Sequence, residues 1–295
     1  AGTQFTHDSD GVTGTVTADF TPPTLTDIYI KSDNAVDTAY ARSGSNVTLK
    51  FTGVDALSAG LLRDDLEVEF DYDNPAGALP TTENGDETNA DWTATAVTSG
   101  IREQALTFQI SGFKDLAGNE GTSVTDLTGG LDVTYDESPP LLSGLTMVSD
   151  NDNNDRLSKV GDIVSLTITV DATEEANGIQ LPDVTIANRT SGDGDVVIRN
   201  ASNDGAAAQG DLVFTANYTM QASDSETDSI EFQVAFSDLA GNVGTTVDAL
   251  ENDHGVSFDK TAPDFTNTAI GSSIEIVSDN DYDDGLGRTT DVITL

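Results

Sequence analysis

Two stretches decide the fold: LTFQISGFKDLAGN at 106–119 and IEFQVAFSDLAGN at 230–242. In the second, Ile230, Phe232, Val234 and Phe236 alternate with Glu231, Gln233 and Ala235. A period of two puts the apolar set on one face of a half-buried antiparallel strand and the polar set on the other. Each run ends in the same five residues, Asp-Leu-Ala-Gly-Asn, at 115–119 and 238–242. A strand and its turn that return after 123 residues mark an internal repeat.

Other landmarks keep that period. DFTPP begins at Asp19, DESPP at Asp136 and DKTAP at Asp259; each leads through a strand-like run to Ser-Asp-Asn. VTLKF at 47–51 corresponds to VSLTITV at 164–170, where Val164, Leu166, Ile168 and Val170 alternate with Ser165, Thr167 and Thr169. These boundaries predict two complete units, 21–137 and 138–259. Residues 1–20 read as the C-terminal strand of a preceding repeat, and 260–295 as the N-terminal part of a further, incomplete one. Units of about 120 residues with many short strands and no helical periodicity predict an all-β chain of tandem immunoglobulin-like β-sandwiches. The stretch 61–92 reads as an insertion peculiar to the first unit.

Composition narrows function. Fifty-two acidic residues face 12 basic ones, a net charge of −40. Nucleic acid is excluded as a partner, because phosphate binding needs clustered Lys and Arg. With no cysteine and two histidines there is no basis for a zinc site of the usual kind. No apolar run is long enough to insert in a membrane as a helix. His7 and His254 sit in Asp- and Gly-rich segments, and no Gly-rich phosphate loop opens a helix, so the chain reads as non-enzymatic.

The combination DESPP, SDN, KVGD (159–162), YTM (218–220) and FSDLAGN (236–242) resembles the immunoglobulin-like repeats of large bacterial and some archaeal cell-surface proteins, both extended adhesins and surface-layer proteins. The resemblance spans both complete and both partial units. It implies an extracellular, structural role at the cell surface, with neighbouring repeats as the partners of each unit.

Counting strands from the linker assigns each loop to a pole. The linker, the loop after the second strand and the DLAGN turn all fall at the pole facing the preceding unit. In the second unit these carry Asp136 and Glu137, Asp171 and Glu174, and Asp238 and Asn242; in the first, Asp19, Asp115 and Asn119. Carboxylates and amides gathered at one seam repel unless a cation joins them, and hard oxygen ligands suit Ca²⁺. The sequence thus predicts structural calcium at the junctions. A weaker candidate is SDNDNND at 149–155, with Asp150 and Asp152, at the opposite pole. Two structural roles follow: a calcium-stiffened adhesin stalk, or a surface layer or filament in which copies of the chain pack laterally.

Overall fold

The computed structural model describes residues 4–7, 14–55, 61–63, 65–71, 81–85, 90–173, 177–201, 205–250, 255–263, 277–278 and 292–294. Strands β1 (Gln4–His7) and β2 (Gly14–Thr17) form an antiparallel hairpin before the first sandwich. That sandwich is built from β3 (Thr24–Ser32), β4 (Tyr40–Ala41), β5 (Asn46–Val54), β6 (Glu67–Phe70), β7 (Thr81–Gly85), β8 (Asp91–Val97), β9 (Gln104–Ala105), β10 (Phe108–Ser111) and β11 (Thr134–Tyr135). One sheet runs β3-β5-β8-β7; against it lie the pair β10-β6 and the three-stranded β4-β11-β9.

The second sandwich repeats the plan with β12 (Leu142–Ser149), β13 (Leu157–Ser158), β14 (Ile163–Val170), β15 (Asp183–Ile186), β16 (Arg189–Thr190), β17 (Val197–Asn200), β18 (Val213–Thr219), β19 (Phe232–Ala235) and β20 (Ser257–Phe258). Its sheets are β12-β14-β18-β17 and β16-β15-β19, with β13 parallel to β20. A last antiparallel pair joins β21 (Val277–Ser278) to β22 (Ile293–Thr294). The single helical turn among the described residues is the 3₁₀ turn Ser191–Asp193.

The alternation explains the layers. In β14, Val164, Leu166, Ile168 and Val170 are buried while the residues between them stay partly exposed. In β5, Val47, Leu49 and Phe51 point inward, with Ala94 and Trp92 of β8 opposite Leu49 and Phe51. The outer faces use paired hydroxyls, as where the Thr48 and Thr95 hydroxyls meet at 3.1 Å. Each sandwich closes around its own buried cluster, one from Ile28 to Tyr135 and one from Leu145 to Phe258. Both first strands carry a register shift in their first half, between Thr26 and Tyr29 and between Leu142 and Gly144.

The stretch 61–92 is not an added loop. It supplies β6, β7 and the start of β8, which answer to β15, β17 and β18 of the second sandwich. Val68 and Phe70 face the core while Glu67 and Glu69 face outward.

Trp92 is the chain's one tryptophan and sits in the first core, so its fluorescence reports the first sandwich alone. Phe214 is fully buried in the second. Phe214→Ala is expected to cost the second sandwich about 3–5 kcal/mol. Chemical unfolding should show the β-sheet circular dichroism transition moving to lower denaturant while the midpoint of Trp92 fluorescence stays within error of the parent chain.

Candidate functional site at the sandwich junctions

The repeated DLAGN turn closes on its own aspartate. Asp238 Oδ1 accepts from the backbone N–H of Gly241 (2.6 Å) and of Asn242 (2.8 Å), and Oδ2 accepts from Asn242 Nδ2 (2.8 Å). Asp115 does the same with the N–H groups of Ala117 (2.8 Å) and Asn119 (2.9 Å) and with Asn119 Nδ2 (2.8 Å). The chain reverses through Gly118 and Gly241 at φ of +89° and +93°, a conformation glycine adopts at little cost. The asparagine then reaches out: Asn242 Nδ2 donates to the carbonyl of Asp136 (3.0 Å), and Asn119 Nδ2 to that of Asp19 (3.3 Å). Each turn thereby ties its sandwich to the linker that enters it.

The linkers share a scheme of their own. Oδ1 of Asp19, Asp136 and Asp259 accepts from the N–H two residues on, at Thr21 (3.0 Å), Ser138 (3.0 Å) and Thr261 (2.8 Å). A carboxylate of the preceding sandwich then catches the next stretch of chain. Glu103 Oε1 accepts from Glu137 N (3.1 Å) and Ser138 Oγ (2.8 Å); Glu226 Oε1 accepts from Lys260 N (3.0 Å) and Thr261 Oγ1 (2.5 Å). No motif marks either glutamate in the sequence, although both stand at the same place in the repeat.

Contacts also cross the junction from the far pole of the first sandwich. Asn34 Nδ2 donates to the carbonyl of Leu239 (2.8 Å), and Arg42 Nη1 to that of Gly241 (2.7 Å). Leu239 and Ala240 are buried beneath them. Neither donor was in the predicted set. Arg42, one of 12 basic residues in the chain, lies over the second DLAGN turn.

The predicted acidic residues divide into several environments. Ligand oxygens of Asp19, Asp55 and Asp115 lie within 4.8 Å of one another, drawn from linker, second-strand loop and turn. Asp55 was not predicted, yet Val54-Asp55-Ala56 and Val170-Asp171-Ala172 occupy the same place in the repeat. In the second sandwich, Asp136 and Asp238 interact, but Asp171 turns away. Its Oδ1 accepts from Thr173 Oγ1 (2.6 Å) and Thr173 N (3.0 Å), which hold its carboxyl below the usual range. Glu174 lies outside the described residues. Glu137 Oε2 accepts from the Tyr135 hydroxyl (2.9 Å). At the opposite pole, Asp150 Oδ1 accepts from Ile163 N (2.7 Å) and Asp152 is exposed. That loop closes instead around Asp162, which accepts from Asn151 Nδ2 (2.7 Å) and Lys159 Nζ (2.7 Å).

Of the second junction's carboxyls, Asp136 is the most shifted. Burial, then the charge of Asp238, pushes its carboxyl from 3.8 up to about 6. Burial also pushes Asp238 upward, against the hydrogen bonds of its turn.

No family model and no curated protein matches the chain. Solved structures similar to it include FdeC, an Escherichia coli adhesin, at 14% identity over 85% of this chain and 69% of that one, with a TM-score of 0.36. A pair of titin Ig tandem domains is similar at 11% identity over 81% of this chain and 98% of that one, with a TM-score of 0.23. A chimeric titin tandem is similar at 8% identity over 82% of this chain and all of that one, also with a TM-score of 0.23. By its own strand order, with β3-β5-β8-β7 and β12-β14-β18-β17 each facing smaller sheets, the chain is an all-β protein of immunoglobulin-like sandwiches.

The Asp136 shift has a definite sign. A carboxyl whose folded pKa is raised stabilises the fold below its unfolded value and loses that contribution as pH rises through the folded one. In chelator, the stability contributed by Asp136 is therefore present near pH 4 and lost as pH passes about 6. Asp136→Asn keeps an oxygen for Ser138 N and removes the titration. Thermal melting from pH 4 to 7.5 should show the variant gaining on the parent chain as pH rises, with the gain complete by about pH 7.

Proposed function

We propose that this chain is a non-enzymatic, extracellular segment of a cell-surface protein, an adhesin-type stalk whose sandwich junctions are stiffened by calcium. One observation carries the reading: the DLAGN turn is held at once by its own linker and, in the second sandwich, by Asn34 and Arg42 of the sandwich before it. A hinge meant to swing freely has no use for two sets of bonds across it. A spacer that transmits force or sets reach does.

The donor set suits calcium. Asp19, Asp55 and Asp115 bring three carboxylates from three chain segments to one place, and hard oxygen ligands in that number begin the six to eight that Ca²⁺ takes. Asp136 and Asp238 would serve the second junction, where their mutual repulsion favours either a proton or a cation. Bound calcium would supply the positive charge that lets these carboxylates remain ionised together. The protein's own part is to fix them: the turn N–H groups orient Asp115 and Asp238, and the linker N–H groups orient Asp19 and Asp136.

Extracellular modules bind calcium at roughly 10⁻⁴–10⁻³ M, so roughly 10 mM calcium should add about 1–3 kcal/mol to junction stability. Small-angle scattering and melting in calcium and in chelator test this. The expected result is a longer maximum dimension and a higher melting temperature in calcium, both weakened by Asp115→Asn. Identical scattering and melting in the two conditions would overturn the calcium reading. Electron microscopy in calcium separates the alternatives: isolated extended particles support a stalk, and sheets or regular fibres support a surface layer or filament.

A further inference from the structure

The two DLAGN turns share one internal geometry and differ in what covers them. Leu239 is 8% exposed and Ala240 is 3% exposed, under the pole of the first sandwich. Leu116 is 51% exposed, with Ala117 and Gly118 exposed beside it. A Cβ placed on Gly241 would lie 3.6 Å from Arg42 Nε, whereas one placed on Gly118 would meet nothing within 4 Å. The linker tells the same story. Asp19, bound through its carbonyl to Asn119, is followed by Phe20, which is 78% exposed.

We infer that Leu116, Ala117, Gly118 and Phe20 form a docking surface, occupied by the loop pole of a further β-sandwich carried N-terminal to Asp19 on the same polypeptide. That pole brings a side-chain amide and a cation to the carbonyls of Leu116 and Gly118. This rests on the array reading above and names the partner of its first junction.

The occupant's chemistry is read from the covered turn, where Asn34 and Arg42 reach the carbonyls of Leu239 and Gly241. The pair is not peculiar to the first sandwich. Asn151 and Lys159 stand at the corresponding places in the second, turned onto Asp162 where the first has Ser45. Each sandwich thus carries a donor pole at one end and a turn at the other, a heterologous match that repeats along a chain without closing. The linked source is favoured over a second copy by charge. Two free chains of net charge −40 repel, while a short linker holds its neighbour at a millimolar effective concentration.

Because the chain lacks cysteine, Leu116→Cys and Leu239→Cys each give one thiol to label with a maleimide. In the 295-residue chain, Leu116→Cys should label at least tenfold faster than Leu239→Cys. In an extended chain, with residues 1–18 replaced by a second copy of residues 1–135, Leu116→Cys should slow to near the Leu239→Cys rate. Removing Asn34 and Arg42 from the added copy, as Asn34→Ala with Arg42→Ala, should restore fast labelling. Circular dichroism checks that each variant is folded. An unchanged Leu116→Cys rate in the extended chain, with Leu239→Cys protected, overturns this inference and leaves the array reading standing. Equal fast labelling at both sites in the 295-residue chain overturns the array reading itself. Protection of Leu116→Cys that grows with protein concentration would make a second copy the occupant, and so overturn the linked-sandwich assignment.

Discussion

The arrangement depends on a buried aspartate that collects the N–H groups of its own turn. Asp115 and Asp238 are fully buried, and each accepts three hydrogen bonds within five residues. A carboxylate in that position is costly unless its lone pairs are used, and charge-assisted bonds to backbone N–H groups are among the stronger ones available. The turn fixes the asparagine, the asparagine fixes the linker carbonyl, and the linker sets where one sandwich ends and the next begins. Leucine and alanine at the tip then become a small apolar knob, and the glycine leaves room for a guanidinium to lie over it.

The same turn concentrates charge. The first junction draws carboxylates from linker, turn and neighbouring loop, and the second from linker and turn, in a chain that already repels itself. The structure shows two answers, and the calcium proposed above would be a third. Protonation relieves Asp136, whose carboxyl is raised to about 6. A fixed cation, Arg42, sits over the second turn. Under the calcium proposal a divalent ion would act at the first junction, where three carboxylates cluster. The junctions are thus alike in backbone and unlike in electrostatics.

The sandwich layers were legible from the alternation in IVSLTITV and IEFQVAF, because a period of two leaves no other way to bury Val164 through Val170 together. The Asx geometry of DLAGN was legible as well, since Asp, Gly and Asn at those spacings suit a self-bonded turn. Less visible was LEVEF at 66–70. Its alternation is short and lies among Asp, Gly and Pro, so it reads as an insertion until β10 is seen pairing with it. The parting of Asp55 from Asp171 was hidden for a different reason. Thr173, two residues after Asp171, competes for its carboxylate with both hydroxyl and N–H, a local contact that strand counting does not weigh. Arg42 and Asn34 carry no junction signal in the sequence, because acidic residues mark the seam while its donors come from the other pole.

The residue after each linker aspartate shows how one backbone scheme can be tuned. The positions read Phe20, Glu137 and Lys260, while the aspartate before and the hydroxyl after are kept. Phe20 offers apolar area. Glu137 adds a further anion and is steadied by the Tyr135 hydroxyl. Lys260 brings its own cation, with Nζ donating to the carbonyls of Asp224 (2.7 Å) and Ala222 (3.2 Å). A junction that already holds an ammonium gains less from an added metal ion than one that holds an extra carboxylate. Under the stalk reading, stiffness would therefore vary along the chain, set by a single side chain at each seam, while the buried Asp115 and Asp238 give the first two seams one geometry.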